Sequence, residues 1–162
     1  MKFFRLMKLL HFVGLVIFLG SIFTFIVISA LTKNASLENL AFGRKIISTG
    51  TDVLTLPGMW ILVITGILMG YKKYGLKSQF FIFKFFVVTL VILNAHFLIV
   101  PAAHDATEIA SRSLAAGHLL SEYGAAYMRE SIFGAANILL AVIAAVVGVW
   151  KIGMKQSQIA IK

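Results

Sequence analysis

Residues 9–31 read LLHFVGLVIFLGSIFTFIVISAL and contain no formally charged side chain. A helix needs about 20 predominantly apolar residues to cross the hydrocarbon core of a bilayer, so this stretch predicts a transmembrane helix. Signal peptides have a shorter apolar region of about 7–15 residues. We therefore expect this helix to be retained in the mature protein.

Three further stretches predict spans of the same kind, at residues 53–71, 80–100 and 131–150, and the last could begin as early as Tyr123. Lys84 is their only formally charged residue. The chain is 60% hydrophobic and 13% charged, which would leave a soluble protein of 162 residues with too much apolar surface in water. The predicted fold is an all-α integral membrane protein, a four-transmembrane-helix bundle that forms a single domain over residues 1–162.

The basic residues predict the orientation of these spans, because cytoplasmic loops are enriched in Lys and Arg. One side of the predicted bundle carries five basic and six acidic residues. The opposite side carries ten basic residues and no acidic one: Lys2, Arg5, Lys8, Lys72, Lys73, Lys77, Lys84, Lys151, Lys155 and Lys162. We expect both termini to lie in the cytoplasm. This topology also accounts for the net charge of +9, so nucleic acid is not an expected partner.

Two segments on the outer side predict short interfacial helices. The first covers residues 36–47, with Ser36 as its cap, and the second lies within residues 107–128. Small residues four apart, such as Gly20 and Thr24, predict close packing between helices and would equally serve a homodimer.

Few ionisable side chains lie within the spans, and burying such groups in hydrocarbon is costly enough to make function the default hypothesis. His11 lies about one turn into the first span, and Lys84 about one turn into the third span from the same face. His96 follows Lys84 by twelve residues, roughly 18 Å along a helix, and belongs to the other half of the membrane. Neutral imidazole is a good ligand for heme iron, zinc and copper. Ordinary alternatives stay open: an interfacial His11, a Lys84 that snorkels to the headgroups and a structural His96.

A metal site for copper or zinc could form from His96, His104 and His118 at the outer face, although their spacing matches no familiar metal motif. Arg129 could bind a heme propionate or an anionic substrate, or simply pair with an outer carboxylate. The chain has no cysteine, which excludes disulfides, thiolate metal sites and thioether-attached heme. It also has no P-loop, nucleophile elbow or HExxH motif, so catalytic residues stay unknown.

Residues 8–14, KLLHFVG, and residues 18–20, FLG, resemble the first helix of a group of small bacterial membrane proteins. The group includes the CopD-like copper-resistance domains and the HemJ type of protoporphyrinogen oxidase. Residues 56–60, LPGMW, look like its second helix, and Lys84 followed by His96 is similar to the HemJ third helix. The resemblance implies a protein of a bacterial inner (cytoplasmic) membrane, with His11 and Lys84 as heme b positions. It does not imply protoporphyrinogen oxidation, because the first helix here lacks the arginine-rich continuation of HemJ.

These features predict a b-type heme-binding membrane protein for electron transfer or redox chemistry, with His11, Lys84 and His96 as cofactor-binding residues. If the protein is an enzyme, it would be a membrane-bound oxidoreductase. Its expected partners are the lipid bilayer and a quinone or a redox protein. Two alternatives remain: a copper-handling membrane protein of the CopD type and a non-catalytic assembly subunit.

Overall fold

A computed structural model describes residues 2–150, and within this range the chain is helical apart from short turns. Each predicted span lies within one of four continuous helical stretches, all long and apolar enough to cross a membrane: Lys2–Thr32, Leu37–Tyr74, Gln79–Ala116 and Glu122–Trp150. The prediction of an all-α membrane protein with four spans is therefore confirmed. The three lysines of the C-terminal tail lie outside the described residues, and the orientation stays a prediction.

Six α-helices make up the four stretches, because a π-helical turn divides each of the two middle ones. These turns are Thr51–Thr55 and Ala95–Ile99. The α-helices are α1 (Lys2–Thr32), α2 (Leu37–Gly50), α3 (Leu56–Tyr74), α4 (Gln79–Asn94), α5 (Val100–Ala116) and α6 (Glu122–Trp150).

The two prolines of the chain explain where the π turns lie. Pro57 and Pro101 each follow a π turn by two residues, at the start of α3 and of α5. Proline has no backbone N–H, and its ring collides with the carbonyl four residues earlier in a regular α-helix. A wider turn just before the proline relieves that collision while the helix continues.

The two outer segments are therefore not separate interfacial helices. Ser36 does cap α2, with its hydroxyl oxygen accepting a hydrogen bond from the Asn39 N–H at 3.4 Å. However, α2 continues through the first π turn into α3, because Gly50 keeps a right-handed helical backbone (φ −66°) and does not end the helix. In the second outer segment, α5 continues as far as Gly117, whose left-handed backbone (φ 74°) ends it. Helix α6 begins five residues later.

The bundle has two ends that differ in their connections. The turn from Gly75 to Ser78 joins α3 to α4 at one end, which we call the inner half after the predicted orientation. The loops at residues 33–36 and 117–121 lie at the other end, the outer half. Along the bundle α1 packs on α3 and α4 packs on α6, whereas α5 packs on both α2 and α6 in the outer half.

Two glycines bring α1 and α3 into backbone contact. A Cβ atom on Gly14 would lie 2.8 Å from the backbone nitrogen of Leu62, and one on Gly58 would lie 2.9 Å from that of Phe18. By contrast, a Cβ atom on Gly20 would have no neighbour within 4 Å. The small-residue contact on the first span is thus made by Gly14 within the chain, and the alternative role of Gly20 in a homodimer stays a prediction.

Candidate functional site

His11 is held in the inner half by groups of α3. Its Nδ1 atom lies 3.0 Å from the carbonyl oxygen of Leu62 and 3.0 Å from the hydroxyl oxygen of Thr65. A carbonyl can only accept a hydrogen bond, so Nδ1 carries the proton in this arrangement. The Thr65 hydroxyl donates its own hydrogen to the Ile61 carbonyl at 2.6 Å, so toward His11 it also accepts. The lone pair of the ring therefore lies on Nε2.

Gly66 allows the imidazole to sit this close to α3. A Cβ atom at this position would lie 3.1 Å from Cε1 of His11, which is tighter than most side chains tolerate. The ring is half-buried, so the Nε2 side of the imidazole is partly shielded by the protein. Such an imidazole, with Nδ1 bonded to a backbone carbonyl, has the arrangement usual for metal-ligating histidines.

Lys84 is also half-buried in the inner half, but it reaches toward α6. Its Nζ atom would lie 2.9 Å from a Cβ atom on Gly148, and it lies 5.7 Å from the centre of the Phe80 ring. It forms no ion pair with the described residues. The sequence thus correctly placed His11 and Lys84 in the same half, although their immediate neighbours belong to different helices.

His96 occupies separate surroundings. Its ring meets the Trp60 ring edge-on with the centroids 5.7 Å apart, and its Nδ1 atom lies 3.3 Å from the Ile92 carbonyl oxygen. Trp60 precedes Thr65 by more than one turn of α3. His11 and His96 therefore approach α3 at different levels, as their spacing in the sequence predicted.

The three histidines proposed for an outer metal site do not come together. His104 pairs with Asp52 at 3.3 Å on the exposed surface, while His118 bonds to the Ala116 carbonyl at 3.2 Å in the loop. Across residues 2–150, no group of three or more His, Asp or Glu side chains is placed to hold a metal ion. Arg129 lies 3.6 Å from Asp105, and both are exposed, which is the ordinary surface pairing that the sequence left open.

A cavity of about 370 Å³ lies between the helices in the outer half. The π turns contribute Thr51, Thr55, Ala95 and Ile99 to its wall, and α1 contributes Phe18, Ile22, Phe25, Ile26, Ser29 and Ala30. The side formed by α6 is the most polar and consists of Tyr127, Glu130, Ser131, Gly134, Ala135, Asn137 and Ile138. His11, Lys84 and His96 do not line this cavity.

A buried ion pair forms the end of the cavity. Arg44 of α2 bonds to the Glu130 carboxylate of α6 through its Nη2 atom, and only 1% of the Arg44 side chain is exposed. The backbone carbonyl of Arg44 accepts a further hydrogen bond from Thr107 of α5 at 3.2 Å. A buried charge costs several kcal/mol unless it is paired in good geometry. Because Arg44 and Glu130 belong to different helices, their pairing holds α2 and α6 together.

Sequence reasoning counted Arg44 and Glu130 only as loop charges. The register of α2 did carry a signal: residues 40, 41, 44 and 47 share one helical face, and Leu40, Ala41 and Ile47 are buried on it. An arginine in the middle of an apolar stripe predicts a buried partner. Nothing in the sequence singled out Glu130 among the six acidic residues as that partner.

Two asparagines form the other polar contact beside the cavity. Asn94 of α4 donates from Nδ2 to Oδ1 of Asn137 at 3.2 Å and to the Phe133 carbonyl at 2.9 Å. Asn137 is 3% exposed. Because its oxygen accepts from Asn94, its own NH₂ group remains as a hydrogen-bond donor on the cavity wall.

No protein-family model matches the chain, and no curated protein or solved structure is significantly similar to it.

Proposed function

We propose that the protein is a b-type heme-binding membrane protein in which His11 is an axial ligand of the iron. The hydrogen bond from Nδ1 of His11 to the Leu62 carbonyl carries this proposal, because it leaves Nε2 as a neutral nitrogen donor. Helix bundles commonly hold heme between facing helices. Without cysteine, the porphyrin would be held by ligation and packing alone.

The inner half contains side chains of the types that bind heme: a histidine ligand and a cation. Leu62 and Thr65 would fix the orientation of the His11 ring and make Nε2 a stronger donor. Lys84 is a half-buried cation of this half that could meet a propionate, since it forms no ion pair within residues 2–150. His96, which packs on Trp60, is not needed as the second ligand of the same iron and would serve a separate site if it binds heme.

Bound heme would supply one-electron redox chemistry, with its potential set by the axial ligand and by burial. The chain's own residues would bind and orient the cofactor and keep water from it. A role in electron transfer or redox catalysis at a bacterial inner membrane, with both termini in the cytoplasm, is part of this proposal. The separate positions of His96, His104 and His118 give no support to the copper-handling alternative.

The test is an absorption spectrum of the protein purified in mild detergent, oxidised and then reduced with dithionite. We expect a Soret band and sharpened α and β bands upon reduction in the wild type and in His118→Ala, a control whose side chain lies in an exposed loop. His11→Gly should lose these bands.

Imidazole added to the His11→Gly variant during hemin reconstitution should restore the bands, because it can occupy the space that the side chain leaves. This rescue separates the loss of a ligand from the loss of the fold. A wild-type protein that stays colourless after hemin addition, or a His11→Gly variant with unchanged spectra, would overturn the proposal.

A further inference from the structure

The outer cavity has a gap in its wall between α1 and α6, two of the helices long and apolar enough to cross a membrane. Although α1 and α6 both line it, they do not pack along each other as α1 packs on α3 and α4 on α6. Ile26 and Ala30 on α1 face Ser131 and Ala135 on α6 across this gap, and all four residues are exposed. A molecule dissolved in the bilayer can therefore enter between the two helices.

One side of the cavity carries two polar groups with an empty space between them. Glu130, Gly134 and Asn137 follow one another at the spacing of a single face of α6. A Cβ atom on Gly134 would have no neighbour within 4 Å, so the space over this glycine is open. The carboxylate at one end accepts hydrogen bonds, and the NH₂ group of Asn137 at the other end donates them.

The spacing of these groups indicates the size of the ligand. Asn137 follows Glu130 by seven positions, about 10.5 Å along a helix. A six-membered ring with oxygen atoms about 5 Å apart can therefore lie between their two side chains, with a hydrogen bond of about 2.8 Å at each end. The remaining wall is mostly apolar and suits a hydrocarbon tail.

The charge of the site narrows the ligand class further. Arg44 neutralises Glu130 from behind and is itself buried, so the cavity carries no net charge to attract an ionic headgroup. A fatty-acid carboxylate would meet the carboxylate of Glu130, and a phospholipid phosphate would find no cation among the lining residues. A neutral ring that accepts a hydrogen bond at one end and donates one at the other meets neither obstacle.

We propose that this cavity binds a membrane quinone in its quinol form, with one hydroxyl donating to Glu130 and the opposite oxygen accepting from Asn137. Gly134 provides the space for the ring, and the gap between α1 and α6 admits the isoprenoid tail. The proposal concerns binding only and is independent of heme ligation by His11, which lies in the other half of the bundle.

Binding can be measured by calorimetric titration of the detergent-solubilised protein with a reduced short-chain ubiquinone. We expect saturable binding to the wild type, at least tenfold weaker binding to Asn137→Leu, and no binding to Gly134→Leu, whose side chain would fill the space for the ring. Gly124→Leu is the matched control, because a Cβ atom at this α6 position also has no neighbour within 4 Å but lies outside the cavity.

Circular dichroism and thermal melting of each variant would show that the fold is retained. Absence of saturable binding to the wild type, equal loss in Gly124→Leu, or full binding by Gly134→Leu would overturn the proposal. Displacement of the quinol by an equal concentration of oleate would also overturn it, because the site would then select for an alkyl chain and not for the ring. None of these readouts depends on heme.

Discussion

The two halves of the bundle handle polar groups in different ways. In the inner half, His11 is satisfied by Leu62 and Thr65, two neighbouring groups on one turn of α3. In the outer half, Arg44 and Glu130 are 86 residues apart in the chain and meet because α2 and α6 both pack on α5. The inner contact joins α1 to α3, two helices that already pack on each other, and positions a single reactive atom. The ion pair joins α2 to α6, which are otherwise linked through α5, and so fixes how the outer ends of the helices are arranged. This difference predicts that substitutions in the outer half should affect stability more.

The largest effect should follow from Glu130→Ala. The variant leaves Arg44 buried without its partner, and breaking a buried pair in this way costs about 3–5 kcal/mol. The free energy of unfolding in mixed detergent micelles measures this loss. Removing both charges, in Arg44→Met with Glu130→Leu, should restore most of it.

Glu122→Ala is the control for that experiment, because Glu122 pairs with Arg112 at 2.8 Å with both side chains more than half exposed. We expect a loss of about 0–1 kcal/mol for such a surface pair. If Glu130→Ala is no more costly than Glu122→Ala, the outer half does not depend on the buried pair.

A smaller effect should follow from Gly14→Ala, which tests the contact that unites both halves along α1 and α3. The added methyl group would lie 2.8 Å from the backbone of Leu62, so the helices must separate, and overpacking of this kind typically costs about 1–3 kcal/mol. Gly20→Ala meets no neighbour and should be neutral or slightly stabilising. The free energies of unfolding of Gly14→Ala and Gly20→Ala are to be compared under the same conditions. Equal losses of stability would refute the close approach of α1 and α3.

The smallest effect should follow from Asn94→Leu. It removes the hydrogen bonds to Asn137 and Phe133, and side-chain bonds between membrane helices contribute about 0.6 kcal/mol on average. A double-mutant cycle with Asn137→Leu isolates the coupling. Thr89→Val on the same helix should show no coupling with Asn137→Leu, because the Thr89 hydroxyl bonds only within α4.

Much of the fold could be predicted from the sequence because hydrophobic length alone determines a membrane span. The outer segments were harder, since their apolar stripes are equally compatible with a surface helix and with the extension of a span. Pro57 and Pro101 are unfavourable inside a regular α-helix, yet the helices pass them by widening one turn. Propensity rules describe where a regular α-helix becomes unfavourable, and they do not describe this alternative.

The candidate sites could be predicted only in part, for a related reason. The low frequency of ionisable residues in hydrocarbon identified His11 and Lys84, and the spacing of His96 separated it from them. The outer cavity depends instead on two helices that fail to pack, α1 and α6, and the sequence gives no measure of such a gap. In the sequence, Gly134 does not differ from the many other small residues in the spans. Only the structure shows that the space next to it on α6 is empty.

The two π turns determine how the halves of the bundle are rotated relative to each other. Each residue of a helix advances its direction by about 100°, so the extra residue accommodated in a wide turn changes which face of the outer segment points inward. Deleting one residue from Thr51–Thr55 would turn Arg44 away from α6 while leaving α3 against α1. The length of this π turn thus sets which face of α2 points toward the cavity. Adding or removing one residue there would change the side chains at the cavity end without changing the surroundings of His11.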